Sequence, residues 1–257
     1  MDEFYFLEWE YTPFDYFEEI TELVCDCGVI SLENGQAKLN ICSSIYPSDQ
    51  SLRSSLHEKL EYRFQIAQVF NYKSYSLSKP RVSLHSRDGV KSTWIFPDDL
   101  TVKIIFGDVD VVVRDSAGDI ISDSRSKRMK DKNRFDQIAV KNVDNSVVRK
   151  MLGSLGAAIN DPDNEFVYLY EVVECLEAYF GGETKSVDIL GFDIARWRRL
   201  GKLTNNKKLT QGRHRGRHLK VMRGASSSEL SEAKELACEM IESYLIYLDR
   251  QQVKVVC

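Results

Sequence analysis

Residues 29–41 read Val-Ile-Ser-Leu-Glu-Asn-Gly-Gln-Ala-Lys-Leu-Asn-Ile and predict a β-hairpin. Two apolar runs, 29–32 and 37–41, flank the pair Asn34-Gly35. An Asn-Gly pair between such runs is the strongest short signal for a two-residue hairpin turn, because both turn positions need a positive φ. The stretch therefore assigns the first part of the chain to an antiparallel sheet.

The segments on either side of this hairpin extend the same pattern. Residues 4–11 are rich in aromatic side chains that partly alternate with polar ones. Residues 51–70 place apolar side chains at steps of three and four, which is typical of one helix. Residues 81–123 return to short β-branched runs, at 81–85, 92–96, 101–106 and 109–114. Turns rich in Gly and Asp at 86–89 and 116–119 predict two further hairpins. We therefore predict a mostly antiparallel, β-rich domain with one helix over residues 1–125, and an α+β fold for the chain.

The second half of the chain has helical periodicity. A charge run at 124–134 is a solvated helix start or a linker, and apolar stripes at helical spacing follow over 147–159 and 166–180. Ser226-x-x-Glu229 matches a capping box and opens the last long helix. We predict that residues 126–257 form a bundle of four or five helices.

Positive charge is concentrated in one segment of this second half. The whole chain has a formal charge of −4, yet residues 196–223 contain eleven Lys or Arg and no Asp or Glu. An acidic protein with such a local excess of cations has an anion-binding segment, and nucleic acid is the favoured partner. Eight side chains are the candidate nucleic-acid contacts: Arg198, Arg199, Lys207, Lys208, Arg215, Arg217, Lys220 and Arg223.

Composition indicates a cytoplasmic protein without cofactor. The acidic N-terminus does not resemble a signal peptide, and no run approaches the roughly 20 apolar residues that span a bilayer, so we expect no membrane association. Whether Cys25, Cys27 and Cys42 bind a metal, with His57 as a fourth ligand, stays open. We favour free thiols and predict no metal site.

A histidine pair inside the basic block suits phosphodiester chemistry. Residues 213–218 read Arg-His-Arg-Gly-Arg-His. Arginine binds phosphate with a planar fork, and histidine exchanges protons near neutral pH. RNA supplies its own nucleophile, the 2′-hydroxyl, so this chemistry needs no metal. Arg213 and His218 are five positions apart, so in one continuous helix their side chains would point about 140° away from each other and would not share a face. We therefore expect Arg213 at a helix start or in the preceding connection.

Residues 213–218 resemble the signature of HEPN-superfamily ribonucleases: Arg, then Asn, Asp or His, then three variable residues and His. The position near the last long helix of a helical bundle is also similar. Over nearly its full length the chain resembles a group of bacterial and phage proteins without assigned activity, through phrases such as GDVDVVVRDSAGDIISDSR and LTQGRHRGRH.

The HEPN resemblance implies a metal-independent endoribonuclease, such as a toxin or antiphage effector. It implies that Arg213 holds the scissile phosphate, that His218 is the acid or base and that His214 orients the other two. It also implies a homodimer through the helical bundle, with a site shared across the two-fold axis. By the same analogy, the β-rich domain would bind a protein trigger.

Two other interpretations of the basic block stay open. The block can bind nucleic acid without catalysis, or its cations can pair with the acidic remainder of the chain in a structural role. Trp197, beside two arginines, is a base-stacking platform in the first case and a core anchor in the second. We favour the core anchor.

Overall fold

The chain forms two compact units. The computed structural model describes residues 4–42, 50–85, 91–94, 112–114, 120–205, 208–213 and 222–255. The first unit comprises Met1–Phe64 and Lys73–Gly107, and the second comprises Gln65–Tyr72 and Asp108–Cys257. Strands dominate the described part of the first unit and helices that of the second, so the predicted α+β class is confirmed.

The described strands of the first unit are β1 (Phe4–Thr12), β2 (Thr21–Cys25), β3 (Gly28–Glu33), β4 (Gln36–Cys42), β5 (Ser76–Leu77), β6 (Arg81–His85) and β7 (Lys91–Trp94). They form an antiparallel half-barrel sheet with strand order β2-β3-β4-β1-β6-β7, and β5 pairs with the end of β1. One helix, α1, spans Gln50–Asn71, as the periodicity predicts. Its residues up to Phe64 belong to the first unit and the rest to the second.

The predicted Asn34-Gly35 hairpin is confirmed. Glu33 pairs with Gln36 across a two-residue turn, and φ is 49° at Asn34 and 79° at Gly35. Two further strand pairs agree with the predicted hairpins, β6 with β7 and β8 (Val112–Arg114) with β9 (Ile120–Asp123). Their predicted turns, 86–89 and 116–119, lie outside the described residues, as does the predicted strand at 101–106.

One face of the sheet is apolar and forms the core of the first unit. Leu7, Trp9 and Tyr11 alternate along β1 and are 0–3% exposed. Tyr11 contacts the ring of Phe64 on α1 edge-to-face, with ring centroids 5.1 Å apart. Tyr16 donates a hydrogen bond to the Phe64 carbonyl at 2.9 Å. Because residues alternate between faces of a strand, the neighbours of these core residues point to the other face.

Six α-helices lie in the described part of the second unit beyond Asp123, one more than the upper predicted number. The charge run at 124–134 begins the additional helix, α2. The last helix, α7, packs against α2, α3, α4, α5 and α6. The helices are α2 (Ser124–Lys141), α3 (Ser146–Asn160), α4 (Glu165–Phe180), α5 (Glu183–Leu190), α6 (Ile194–Asn205) and α7 (Ser227–Val255). Among the described helices, none combines the length and apolar character needed to cross a bilayer.

A glycine ends α4, and the predicted capping box begins α7. Gly181, with φ of 85°, ends α4, because glycine adopts the left-handed conformation without a steric penalty. The capping box at α7 is formed: Glu229 N–H donates to Ser226 Oγ at 3.3 Å, and Ser226 N–H donates to Glu229 Oε2 at 3.0 Å. This cap fixes the start of α7 at Ser227, nine residues after His218.

Candidate nucleic-acid interface

Arg213 lies in a turn between α6 and α7, as expected, and its backbone is held by α6. Its N–H donates to the carbonyl of Thr204, in the last turn of α6, at 3.2 Å. Gly212 N–H donates to the Leu209 carbonyl at 3.0 Å within the same turn. These bonds fix the position from which the Arg213 side chain extends.

The Arg213 guanidinium contacts two side chains on one face of α4. Its nitrogen forms a 2.9 Å salt bridge with Glu174, and its carbon lies 4.7 Å from the centroid of the Tyr170 ring. Tyr170 and Glu174 are four residues apart and are therefore neighbours on the helix surface. A cation over an aromatic face gains about 0.5–2 kcal/mol, depending on its hydration. The guanidinium is thus oriented while 30% of the side chain stays exposed.

The chain is clamped on both sides of residues 214–221. Leu209 and Arg223 form a parallel β-bridge: Thr210 N–H donates to the Arg223 carbonyl at 3.0 Å, and Arg223 N–H donates to the Lys208 carbonyl at 3.1 Å. Ala225 N–H donates to the side chain of Gln211 at 3.1 Å. Segments 208–213 and 222–225 are therefore held together by backbone and side-chain hydrogen bonds.

Glutamates from other helices pair with four further arginines of the basic block. Arg199 forms a two-pronged pair with Glu232 of α7, both N–O distances being 2.7 Å. Arg223 forms the same arrangement with Glu229. Arg198 pairs with Glu183 of α5 at 2.7 Å, and Arg196 pairs with Glu239 of α7. The hydrogen bonds to these glutamates raise the pKa of each of the four guanidinium groups.

Residues 196–223 contain no acid of their own, but the fold brings glutamates from other parts of the chain next to them. Arg198, Arg199 and Arg223, three of the predicted nucleic-acid contacts, are paired with carboxylates. Lys208 is exposed and forms no salt bridge with a described residue. The remaining candidates lie outside the described residues: Lys207, His214, Arg215, Arg217, His218 and Lys220.

Trp197 is a core anchor, as favoured from the sequence. Its side chain is 2% exposed, and its indole N–H donates to Glu177 Oε1 of α4 at 3.2 Å. A ring buried in this way presents no face on which a nucleobase could stack. The second unit therefore uses its one tryptophan for packing.

Sequence reasoning missed a buried polar cluster in the second unit. Glu165, the first residue of α4, is 4% exposed and accepts a hydrogen bond from the Tyr72 hydroxyl at 3.1 Å. Lys234 Nζ lies 3.4 Å from the same carboxylate and 4.3 Å from the Tyr72 ring centroid. Burial raises the pKa of both Glu165 and Tyr72. Because Tyr72 and Glu165 are 93 residues apart, no spacing in the sequence indicates this contact.

No group of three or more potential metal ligands occurs in the described part of the chain. Cys25 and Cys27 come close at the β2–β3 turn, with their sulfurs 3.8 Å apart. Burial raises the pKa of the Cys25 thiol to about 11, and the thiol donates to the Gly28 carbonyl. Cys25 is therefore a protonated thiol at neutral pH.

Scans of protein-family models, curated proteins and solved structures find no significant match to this chain. The HEPN resemblance thus rests on residues 213–218 and their helical surroundings. The chemistry and placement of the residues themselves are therefore the basis for assigning a function.

Proposed function

We propose that the second unit binds RNA through residues 207–221, between the clamped ends of the α6–α7 connection. One observation carries the proposal: glutamates already pair with the three arginines on α6 and with Arg223, which precedes α7. By sequence the segment contains six Lys or Arg, two His and no acid.

Phosphate recognition follows from this distribution of charge. A guanidinium that already has a carboxylate partner gains less from a phosphate, because the phosphate must compete with the carboxylate. Cations without such partners exchange only counterions and water for phosphate. The proposal therefore assigns binding to Arg215, Arg217, Lys207, Lys208 and Lys220 rather than to Arg198, Arg199 and Arg223.

Two matched double variants test this assignment. Arg215→Gln with Arg217→Gln removes two charges from the proposed segment, and Arg198→Gln with Arg199→Gln removes two from α6. Binding of a labelled single-stranded RNA is measured by fluorescence anisotropy over a series of salt concentrations. We expect the first pair to weaken binding. The slope of the logarithm of the binding constant against the logarithm of the salt concentration should become shallower by about 1.4, at roughly 0.7 per phosphate contact. Equal losses in both pairs, or binding that does not depend on salt, would refute the proposal.

The orientation of Arg213 favours a second candidate function, metal-independent RNA cleavage of the HEPN type. Its guanidinium is held by Tyr170 and Glu174, and pre-oriented cations are effective against charge that develops at phosphorus. In this candidate reaction His218 takes the proton of the 2′-hydroxyl, whose oxygen attacks the phosphorus. The 5′-oxygen leaves with a proton from the second acid/base group, which a partner copy supplies. Arg213 neutralises the phosphate, and His214 orients both residues.

Cleavage is tested in EDTA with single-stranded RNA or tRNA as substrate. We expect products with 2′,3′-cyclic phosphate ends, and loss of cleavage in His218→Ala and Arg213→Ala. His57→Ala, which changes a histidine on α1, is the control and should cleave normally. Cleavage that persists in both test variants eliminates this candidate, and RNA binding without cleavage leaves the binding function alone. A toxin or antiphage role requires the cleavage activity.

A further inference from the structure

The first unit carries a polar cavity on the face of its sheet opposite the apolar core. Its volume is about 480 Å³, within the roughly 300–1,000 Å³ range of small-molecule sites. Strands β1, β3, β4 and β6 line it. Its chemistry comes from six side chains, Phe6, Glu8, Ser31, Lys38, Asn40 and Ser83.

Strand register arranges these side chains in two rows. In the first row Lys38 stands opposite both Glu8 of β1 and Ser31 of β3. In the second row Phe6 stands between Asn40 of β4 and Ser83 of β6. Directly paired residues share a face, so both rows line the same cavity.

Three polar side chains of this cavity lack partners among the described residues. Ser83 is 3% exposed, and its hydroxyl has no hydrogen-bond partner in the described part of the chain. No salt bridge joins Glu8 to Lys38, and within the described part of the chain neither forms one with another residue. Arg81, the other cross-strand neighbour of Glu8, pairs instead with Glu10 at 2.8 Å. Buried polar groups in native proteins are nearly always satisfied, so an orphan hydroxyl in a cavity points to a bound partner.

We propose that this cavity binds a free α-amino acid with an aromatic, hydroxyl-bearing side chain. Glu8 and Lys38 are adjacent opposite charges, and they match the ammonium and carboxylate groups that an amino acid carries on one carbon. Phe6 offers an aromatic surface in the next row, where the ligand ring packs. Ser83 and Asn40, on either side of Phe6, are placed to bond a polar group on that ring. An anion alone fits less well, because it would meet the Glu8 carboxylate.

Amide chemical-shift titration of the full chain tests the proposal, with L-tyrosine as the probe. Three analogues separate the contributions: tyramine lacks the carboxylate, 3-(4-hydroxyphenyl)propionate lacks the ammonium group, and N-acetyl-tyrosinamide lacks both charges. We expect L-tyrosine to shift the signals of Ser31, Lys38, Asn40 and Ser83. Each analogue should bind at least about tenfold more weakly, because a charge-assisted contact is lost.

Variants separate recognition from general effects on the fold. Lys38→Ala and Glu8→Gln should each weaken L-tyrosine binding at least about tenfold. Ser83→Ala should weaken binding of L-tyrosine but not of L-phenylalanine. Glu58→Gln, an exposed change on α1, is the control and should leave binding unchanged. The proposal is overturned if L-tyrosine causes no shifts up to its solubility limit, if N-acetyl-tyrosinamide binds equally well, or if the three cavity variants bind L-tyrosine like the wild type.

Discussion

The guanidinium of Arg213 lies over the ring of Tyr170, with 4.7 Å between the guanidinium carbon and the ring centroid. The same guanidinium is paired at 2.9 Å with Glu174, one helical turn further along α4. The ring and the carboxylate both orient the arginine, but only the carboxylate opposes an incoming phosphate. The carboxylate of Glu174 therefore holds Arg213 in place within the second unit and also competes with the phosphates of the proposed RNA ligand.

Removing the Glu174 charge should strengthen RNA binding. In Glu174→Gln, Arg213 keeps its contact with Tyr170, and its charge becomes available to phosphate. We expect RNA affinity to rise several-fold and the log–log salt slope to steepen by about 0.7, the value for one added contact with a single strand. Anisotropy titrations measure both quantities. Glu183→Gln, which releases Arg198 instead, is the matched control. A similar gain in both variants would show that the whole basic block binds RNA.

Two glycines of α3 should respond oppositely to alanine. Gly153 is exposed, and a Cβ built there meets no atom of the described residues within 4 Å, so Gly153→Ala should stabilise the protein by about 0.5–1 kcal/mol. At Gly156 the Cβ would lie 3.1 Å from the side-chain oxygen of Gln68, which is 1% exposed. We expect no gain, or a loss, for Gly156→Ala, since overpacking costs about 1–3 kcal/mol. Urea unfolding of the two variants checks this, and equal stabilisation in both would contradict it.

Glu165 should make stability fall as pH rises. Burial raises its pKa in the folded state above the value of about 4.3 expected in the unfolded chain. The folded state therefore holds the proton more tightly, and stability is lost as pH rises from the unfolded pKa through the folded one. Glu165→Gln cannot ionise. Its free energy of unfolding, relative to that of the wild type, should therefore increase between about pH 4 and pH 7. Urea titrations across this range measure the difference, and a constant difference would argue against it.

The capping box of α7 should show unequal contributions from its two residues. Ser226→Ala removes the acceptor for Glu229 N–H and should cost about 1 kcal/mol. Glu229→Ala removes the acceptor for Ser226 N–H and also the partner of Arg223, so it should cost about 1–3 kcal/mol. Thermal or urea unfolding measures both. Arg223→Ala is the control, and a loss there as large as in Glu229→Ala would place the main effect in the salt bridge.

Local features of the fold are predictable because their causes are local. The turn at Asn34 and Gly35 depends on two residues that tolerate positive φ. Helix α1 follows from one apolar stripe, and the start of α7 follows from two residues three positions apart. The burial of Trp197 also agrees with the usual role of a tryptophan at helical spacing.

The sequence alone determined the α+β class, the hairpins, the helix caps and the location of the excess positive charge, because each depends on neighbours within a few positions. Only the tertiary structure decided which arginines of the block are paired with carboxylates. Arg199 meets Glu232 from 33 residues away, and Arg196 meets Glu239 from 43. The row of Ser31, Lys38 and Glu8 likewise exists only through strand register. The number of charges can be read from the sequence. The free energy of each charge depends on the groups within a few ångströms of it, and the packing of the fold sets those distances.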